Sequence, residues 1–403
     1  MELFWLEHKK LWRKKIVKIC VLLCFVYCVI FGSILSFQWF SFGSSDDYTS
    51  AFGNNFDGYT VIKDSQEYAL SFGGELTDET LQQIVSDYQQ MEADGMEEEL
   101  EKTDWQIVNS WLGTLYPELR DTSNYKTMIS YVDPDKLTGF YERRQQVLDE
   151  FLEVSGQVGA EKEFLHQIER KVEKPFHYEW VEGWSTLLGS TVADLGVVMA
   201  LFLGIVLSSL FAGEWHDNTS TLVLTTRNGW GKIALAKILT GLAFTVELFA
   251  LLAVSSVISQ LFFMGTAGWD MPIQNIKLIA VAPMNMLQAE IYEYAFVLLG
   301  AIGFAGIVMF ISAAVKNNVL TLLLSLAVVY GPMMIAEYLP YGMQKALDLI
   351  PLVGSSTDIF RTNTFRIFGK LIWSPYLLIT IPVLIGILCM PFAIKSWSRR
   401  MKA

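Results

Sequence analysis

The chain has 403 residues, of which 52% are hydrophobic and only 18% are charged, and its formal net charge is −12. Soluble domains contain about 25% charged residues, so this composition argues against a wholly water-soluble protein. The charge is also divided unevenly, since residues 41–185 hold 30 acidic and 11 basic side chains. We therefore expect a membrane protein with one acidic, water-exposed insert and with no nucleic-acid partner.

The cysteines indicate how the insert folds. All four lie in apolar stretches, and residues 41–185 contain none. The insert is therefore expected to fold by core packing without disulfides. Cys20, Cys24 and Cys28 share one helix face, which would suit palmitoylation or a thiol site, but small residues that pack in a membrane helix are the simpler interpretation.

The apolar segments predict the membrane spans. Crossing the hydrocarbon core takes about 20 apolar residues. Six segments qualify, at 16–40, 188–212, 234–264, 292–315, 319–338 and 372–394. The first lacks a small-residue cleavage site, so we expect it to remain as an anchor. The predicted fold is an α-helical polytopic membrane protein with six transmembrane helices and a helix-rich α+β extracytoplasmic domain.

The short basic stretches predict the orientation. Six crossings place the N-terminal basic cluster, residues 227–237, Lys316 and the C-terminal basic residues on one side, which the positive-inside rule makes cytoplasmic. Both termini are then cytoplasmic. The remaining segments are predicted as follows: an interfacial helix at 1–15, the extracytoplasmic domain at 41–187, a cytoplasmic loop at 213–233, outer loops at 265–291 and 339–371, and a cytoplasmic tail at 395–403.

The last outer loop is too apolar to be open. Leu347, Ile350 and Leu352 predict short re-entrant or interfacial helices within 339–371. In the acidic domain, short strands are predicted at 59–62 and 68–72.

Helices are also predicted in the acidic domain. The first follows an N-cap at Thr77 and runs toward Glu101, the second extends from Asp133 through Phe151, and the third covers 160–172. The acidic run at 97–101 could bind a cation, although such runs are usually solvated helix faces.

No known catalytic motif occurs in the chain. It lacks the zinc-protease, serine-hydrolase and dithiol patterns, and residues 229–232 have neither the spacing nor the hydroxyl residue of a phosphate loop. We therefore expect no enzyme activity, no metal site and no cofactor in this chain, and any ATP hydrolysis must take place in a partner subunit.

One acidic residue lies in the middle of a predicted span. Glu247 would cost at least about 2.5–3.5 kcal/mol in hydrocarbon, which makes it a candidate residue of a translocation path. A neutral, hydrogen-bonded structural glutamate is the alternative. Four other acids are expected in water near outer helix ends: Asp194, Glu290, Glu293 and Glu337.

The loop after the second span resembles that of type-2 ABC transporter permeases. Members of this family have an acid at the end of the second span, a small polar turn, an apolar element, a basic residue and a lysine that opens the third span. The matching positions are Glu214, Asn218 with Thr219, Leu222–Thr226, Arg227 and Lys237. The sequence departs from the family where Asn218 replaces a glycine and where the family's proline is missing.

This resemblance implies a partner. In the family, the corresponding loop forms a coupling helix that docks on a separate ATPase, and two permease chains pair with two ATPases. Apolar side chains rimmed by polar ones suit such a surface, and Asp217 could cap a short helix. The implied coupling residues are Glu214, Asp217, Thr219, Leu222, Leu224, Arg227 and Trp230. A loop that merely lies on the inner leaflet is the alternative.

The leading hypothesis is therefore the permease subunit of an ATP-driven exporter in a bacterial plasma membrane. The acidic domain would attract cationic peptides, which suggests peptide or antimicrobial export or resistance. The alternative is a membrane sensor or receptor that binds a ligand through the extracytoplasmic domain. The six spans and the lack of a long cytoplasmic segment disfavour a sensor, and a secondary transporter is a weaker third hypothesis.

Overall fold

A computed structural model describes residues 2–27, 66–67, 73–95, 105–121, 123–124, 126–188, 192–217, 219, 231–336, 338–353 and 363–399. This part of the chain is mostly helical, and five of its helices are long and apolar enough to cross a membrane. These are the features of an α-helical membrane protein. The first predicted span begins as a helix at 15–27, and its remainder lies outside the described residues.

The helices are, in chain order, α1 (Glu2–Arg13), α2 (15–27), α3 (Asp78–Ala93), α4 (Trp105–Leu115), α5 (Phe140–Val154), α6 (Ala160–Glu169), α7 (Glu182–Thr186), α8 (Val192–His216), α9 (Lys232–Met264), α10 (Met286–Ala314), α11 (Asn318–Ala336), α12 (Tyr341–Leu347) and α13 (Ser374–Arg399). The candidate spans are α8, α9, α10, α11 and α13. Two antiparallel strand pairs complete the description: β1 (Gly74–Leu76) with β2 (Phe176–Tyr178), and β3 (Thr364–Ile367) with β4 (Lys370–Trp373).

Helix α10 packs closely against α13 because glycines remove the side chains between them. A Cβ atom at Gly303 would lie 2.3 Å from the Pro382 carbonyl oxygen, and one at Gly306 would lie 2.4 Å from that of Gly386. Small residues allow helix backbones to approach in this way. A polar contact joins α10 to α8, since the Ser312 hydroxyl donates to the Ser208 carbonyl oxygen at 2.7 Å.

The described residues of the acidic domain between 73 and 188 pack around one core. Helix α3 buries Leu81, Ile84, Val85 and Tyr88 along one face. The predicted N-cap is confirmed, because the Thr77 hydroxyl accepts a hydrogen bond from the Thr80 amide.

The connection between α9 and α10 belongs to this core as well. Its apolar side chains are buried together with those of the acidic domain, among them Met271, Ile273 and Val281. The predicted outer loop at 265–291 is therefore a packed segment rather than an open loop. This association joins the acidic domain to two membrane helices.

Several sequence-based boundaries need correction. The predicted helix from Asp133 is interrupted, since 134–136 form a 3-10 turn and α5 begins only after Gly139, whose φ is +72°. The third predicted helix, at 160–172, is shorter than expected, because α6 ends at Glu169. The predicted strands at 59–62 and 68–72 and the acidic run at 97–101 lie outside the described residues.

The segment at 339–371 contains one short helix among its described residues, α12, which ends at Leu347, so that Ile350 and Leu352 lie beyond it. The predicted re-entrant or interfacial position of this segment stays a prediction. Leu352, at φ +62°, is buried in the helix bundle beside Gly300 of α10. The β3–β4 hairpin that follows was not predicted. Its two turn residues, Phe368 and Gly369, both have positive φ, which is typical of a tight hairpin turn.

Candidate functional site

Helix α1 lies across the start of α9 beside the end of α8. It buries Leu11, and the Trp12 ring meets the Phe244 ring edge to face at 5.8 Å. Trp5 and Leu6 point away from the protein and are mostly exposed. This division into a buried and an exposed apolar face suits a helix that lies in a membrane interface.

A charge cluster joins α1, α8 and α9. Lys237 Nζ donates to Glu214 Oε1 at 2.8 Å and to Glu7 Oε2 at 2.8 Å. Lys10 Nζ donates to the same Glu214 oxygen at 2.6 Å. The Thr219 hydroxyl donates to the other Glu214 oxygen, and the Thr219 amide donates to the Glu214 carbonyl oxygen at 3.0 Å. We call Glu7, Lys10, Glu214, Thr219 and Lys237 the charge cluster.

Glu214 and Lys237 form the buried part of this cluster. The Glu214 side chain is 4% exposed and that of Lys237 is 2% exposed, so water does not screen their attraction. Partial burial lowers the pKa of Lys10, but the hydrogen bond and the charge of Glu214 outweigh it and raise that pKa. Lys14, which donates to the Ser209 hydroxyl at 2.9 Å, has a lowered pKa because it is buried near Lys237 and Lys10.

The cluster closes the loop to which the sequence assigned a coupling role. Glu214 comes from the end of α8 and Lys237 from the first turns of α9, so their contact holds the two ends of the loop together. The Thr219 hydroxyl also binds the Glu214 carboxylate. The loop therefore leaves and re-enters the bundle at one fixed point.

The structure describes three of the seven predicted coupling residues, and these three have different surroundings. Glu214 and Thr219 are brought together, whereas Asp217 is exposed, with its amide bonded to the Gly213 carbonyl oxygen and its carboxylate 3.3 Å from His216 Nδ1. Because Glu214 is buried, its carboxylate serves the network within this chain. The other four coupling residues lie outside the described residues: Leu222, Leu224, Arg227 and Trp230.

Sequence reasoning missed part of this cluster. Glu7 and Lys10 were assigned only to an interfacial helix, and Lys237 was matched to the family without a role in the site. A useful signal was present, since an acid that ends one span and a lysine that opens the next are natural partners across a short loop.

Glu247 has partners that the sequence did not suggest. No cation in another predicted span could reach it, but α1 supplies two groups. Trp12 Nε1 donates to Glu247 Oε2 at 3.0 Å, and His8 Nε2 lies 3.2 Å from Glu247 Oε1. The Glu247 side chain remains 42% exposed. Its proposed place in a translocation path stays a prediction, and its observed contacts anchor α1.

Aromatic rings hold the same end of the bundle together. Trp397 of α13 is fully buried, 5.5 Å from the Phe211 ring and 6.1 Å from the Trp215 ring. The Lys316 ammonium group lies 4.3 Å from the centre of the Trp215 ring. A cation over a tryptophan face is attracted by the ring's negative charge distribution. These contacts connect the end of α8 with α13 and with the turn between α10 and α11.

Two acids were wrongly expected in water. Glu290 and Glu293 of α10 are 4% and 0% exposed, because the first turns of α10 are enclosed at the junction with the acidic domain. The side chains of Asp194 and Glu337 lie outside the described ones.

Comparisons with models of protein families, with curated proteins and with solved structures found no match to this chain.

Proposed function

We propose that this chain is the membrane-spanning subunit of an ATP-driven exporter of the ABC type. A separate ATPase would dock on the loop at 213–233 from the cytoplasm. The observation that carries this proposal is the buried contact between Glu214 and Lys237, which closes that loop at its base. The resemblance of the loop to those of type-2 ABC permeases supports the same assignment.

A closed loop is suited to transmitting motion. Removing one partner of a buried ion pair costs about 3–5 kcal/mol, so the pair resists separation of the two helix ends. A partner that moves the loop would therefore move α8 and α9 together. The Ser312 hydroxyl extends the connection to α10, since it also accepts hydrogen bonds from the amides of Phe211 and Ala212 at 3.1 Å.

Helix α1 would move with the loop. Lys10 and Glu7 tie it to the charge cluster, and Trp12 and His8 tie it to Glu247. Its basic residues would lie at the anionic cytoplasmic leaflet, where each contributes about 1 kcal/mol to membrane attraction. In this proposal α1 moves together with α8 and α9 along the membrane surface and keeps both helices at a constant depth in the bilayer.

The assembly would contain a second permease chain and two ATPase subunits, following the pattern of the family. Alternating access between the two leaflets would then be driven by closure and opening of the ATPases. The acidic domain, on the far side of the membrane, would favour cationic substrates such as antimicrobial peptides.

A membrane sensor is the second candidate. It is favoured by one contact set, in which Arg144 of the acidic domain donates to the carbonyl oxygens of Leu278 and Ala280 between α9 and α10. A ligand that moved the acidic domain would act directly on two membrane helices through these bonds.

Co-purification separates the two candidates. The tagged chain is extracted from its native membrane in mild detergent, and the captured material is assayed for a nucleotide-hydrolysing subunit. The test variant is Trp230→Ala, in the predicted coupling loop. The matched control is Trp269→Ala, an exposed tryptophan in the segment between α9 and α10.

We expect the ATPase to be recovered with the unaltered chain and with Trp269→Ala, and to be lost or strongly reduced with Trp230→Ala. Capture of the chain alone, or with signalling proteins only, would overturn the exporter proposal and favour the sensor. Equal recovery with both variants would reject the loop as the docking site.

A further inference from the structure

Three metal-binding side chains converge at the junction between the acidic domain and the membrane helices. His177 lies on β2, Glu179 follows that strand, and Asp270 belongs to the connection between α9 and α10. One ligand atom of each lies within 4.8 Å of the other two. His177 Nε2 is 3.5 Å from Glu179 Oε2. The three ligand atoms are therefore close enough for small side-chain shifts to bring them onto a single ion.

The backbone on both sides of this group is firmly held. The buried Asn275 side chain donates to the His177 carbonyl oxygen at 2.6 Å. Gly268, at φ +79°, approaches Trp180 so closely that a Cβ atom would lie 2.2 Å from the Trp180 carbonyl oxygen. The Trp180 indole donates to the Met264 carbonyl oxygen at 3.0 Å. A metal site benefits from such support, because its ligands must be held in place before the ion arrives.

Two members of this group, His177 and Asp270, line a polar cleft of about 340 Å³. The walls of the cleft include Lys171, Glu173, His177, Asp270, Gln274 and Gln288. Lys171 opposes cation binding, but Glu173 offsets its charge, and the two ligand carboxylates give the site a negative balance. An ion can therefore reach the ligands, and a water molecule or a further donor can approach the ion from the cleft.

We propose that His177, Glu179 and Asp270 bind one divalent transition-metal ion of the Zn²⁺ type. One imidazole and two carboxylates form a mixed nitrogen and oxygen ligand set, which zinc accepts readily. Calcium and magnesium prefer sites made of oxygen ligands alone. Three protein ligands leave a fourth position facing the cleft, where water or a donor group of a ligand would bind.

Such an ion would join the acidic domain to the membrane helices. Two of its ligands lie on the domain and the third lies on the connection between α9 and α10, so binding would strengthen their junction. This inference is independent of the proposed exporter function, since it concerns residues far from the charge cluster.

The test uses the full chain in detergent, purified with a tag that contains no histidine and stripped of metal with a chelator. Isothermal titration with Zn²⁺, Mg²⁺ and Ca²⁺ measures affinity and stoichiometry, and thermal unfolding measures stabilisation. The test variants are His177→Gln and Asp270→Asn. The control is His216→Gln, an exposed histidine beside an aspartate at the other end of the bundle.

We expect one Zn²⁺ per chain, a higher unfolding midpoint with Zn²⁺, and little response to Mg²⁺ or Ca²⁺. Each test variant should bind Zn²⁺ about tenfold or more weakly, while the control should match the unaltered chain. Because Asp270 is exposed, Asp270→Asn should fold even if His177→Gln does not. The visible spectrum of Co²⁺ bound in place of Zn²⁺ reports a low-coordinate site directly.

Three results would overturn the proposal: the absence of stoichiometric Zn²⁺ binding, equal binding by Asp270→Asn and the unaltered chain, or a preference for Mg²⁺ or Ca²⁺.

Discussion

Lys237 Nζ lies 2.8 Å from Glu214 Oε1, across the two ends of the loop at 213–233. Each of these residues has a second charged partner, Glu7 for Lys237 and Lys10 for Glu214. The network is therefore branched, and Lys237 is its central cation, bound to two carboxylates. This arrangement explains how the two ends of the loop are connected rigidly to α1, α8 and α9.

We expect Lys237→Met to lower the free energy of unfolding by about 3–5 kcal/mol, because Glu7 loses its ammonium partner and Glu214 keeps only Lys10. Thermal unfolding in detergent measures the loss. Lys232→Met, at an exposed lysine five residues earlier, is the control and should change stability little. The double variant Glu214→Gln/Lys237→Met should lose less than the sum of the two single variants. Additive losses would mean that the pair does not interact.

Arg144 should be essential for the attachment of the acidic domain. Its fully buried guanidinium group binds Glu169 at 2.7 Å and two carbonyl oxygens of the connection between α9 and α10. Arg144→Met should cost about 3–5 kcal/mol and should make residues 270–285 more sensitive to protease. Arg170→Met, at an exposed arginine, is the matched control. Unchanged proteolysis of Arg144→Met would contradict this role.

The same ion pair predicts a loss of stability in acid. Burial tends to raise the pKa of Glu169, but hydrogen bonds and charges from Lys174 and Arg144 outweigh it and lower that pKa. A lowered pKa stabilises the fold above the ordinary glutamate pKa of about 4.3, and the benefit disappears as the pH falls through the lower folded value. Unfolding midpoints measured between about pH 3 and 6 should therefore fall less steeply for Glu169→Gln than for the unaltered chain. Parallel slopes would rule this out.

Tyr141 predicts a loss of stability in alkali. Its hydroxyl donates to the Leu76 carbonyl oxygen at 2.7 Å and accepts from the Phe176 amide at 2.6 Å, so that it bridges β1 and β2. Burial raises the pKa of Tyr141 to about 12. A raised pKa stabilises the fold below the ordinary tyrosine value of about 10, and this stabilisation is lost as the pH rises toward 12.

Tyr141→Phe should therefore reduce this alkaline loss. At neutral pH it should also cost about 1–3 kcal/mol, because the Phe176 amide loses its partner. Unfolding midpoints between about pH 7 and 11 test both statements, and a neutral-pH midpoint equal to that of the unaltered chain would contradict the bridging role.

The crossing of α10 and α13 should not tolerate a methyl group at Gly303. The added carbon would lie 2.3 Å from the Pro382 carbonyl oxygen, so the helices would have to separate. We expect Gly303→Ala to reduce the yield of folded, monodisperse protein in size-exclusion chromatography. Gly331→Ala is the matched control, because nothing lies within 4 Å of a Cβ atom there. Normal behaviour of Gly303→Ala would show that the crossing is looser than described.

The sequence alone located most of the membrane helices. Predicted spans at 234–264 and 319–338 coincide closely with α9 and α11, because the transfer of an apolar segment from water to lipid depends on local composition. The predicted span at 292–315 begins six residues later than α10 does. The first turns of α10 carry Glu290 and Glu293, which we expected in water from the sequence and which are buried at the junction with the acidic domain.

The sequence by itself therefore determined the class of protein, the positions of the apolar helices and the presence of an acid and a lysine at the two ends of one loop. Only the tertiary structure decided which charges meet. Glu7 pairs with Lys237, His8 approaches Glu247, and the His177 and Asp270 side chains converge, although long stretches of chain separate the members of each pair. Electrostatic attraction and metal coordination depend on distance in space, which the order of residues does not specify until the helices have packed.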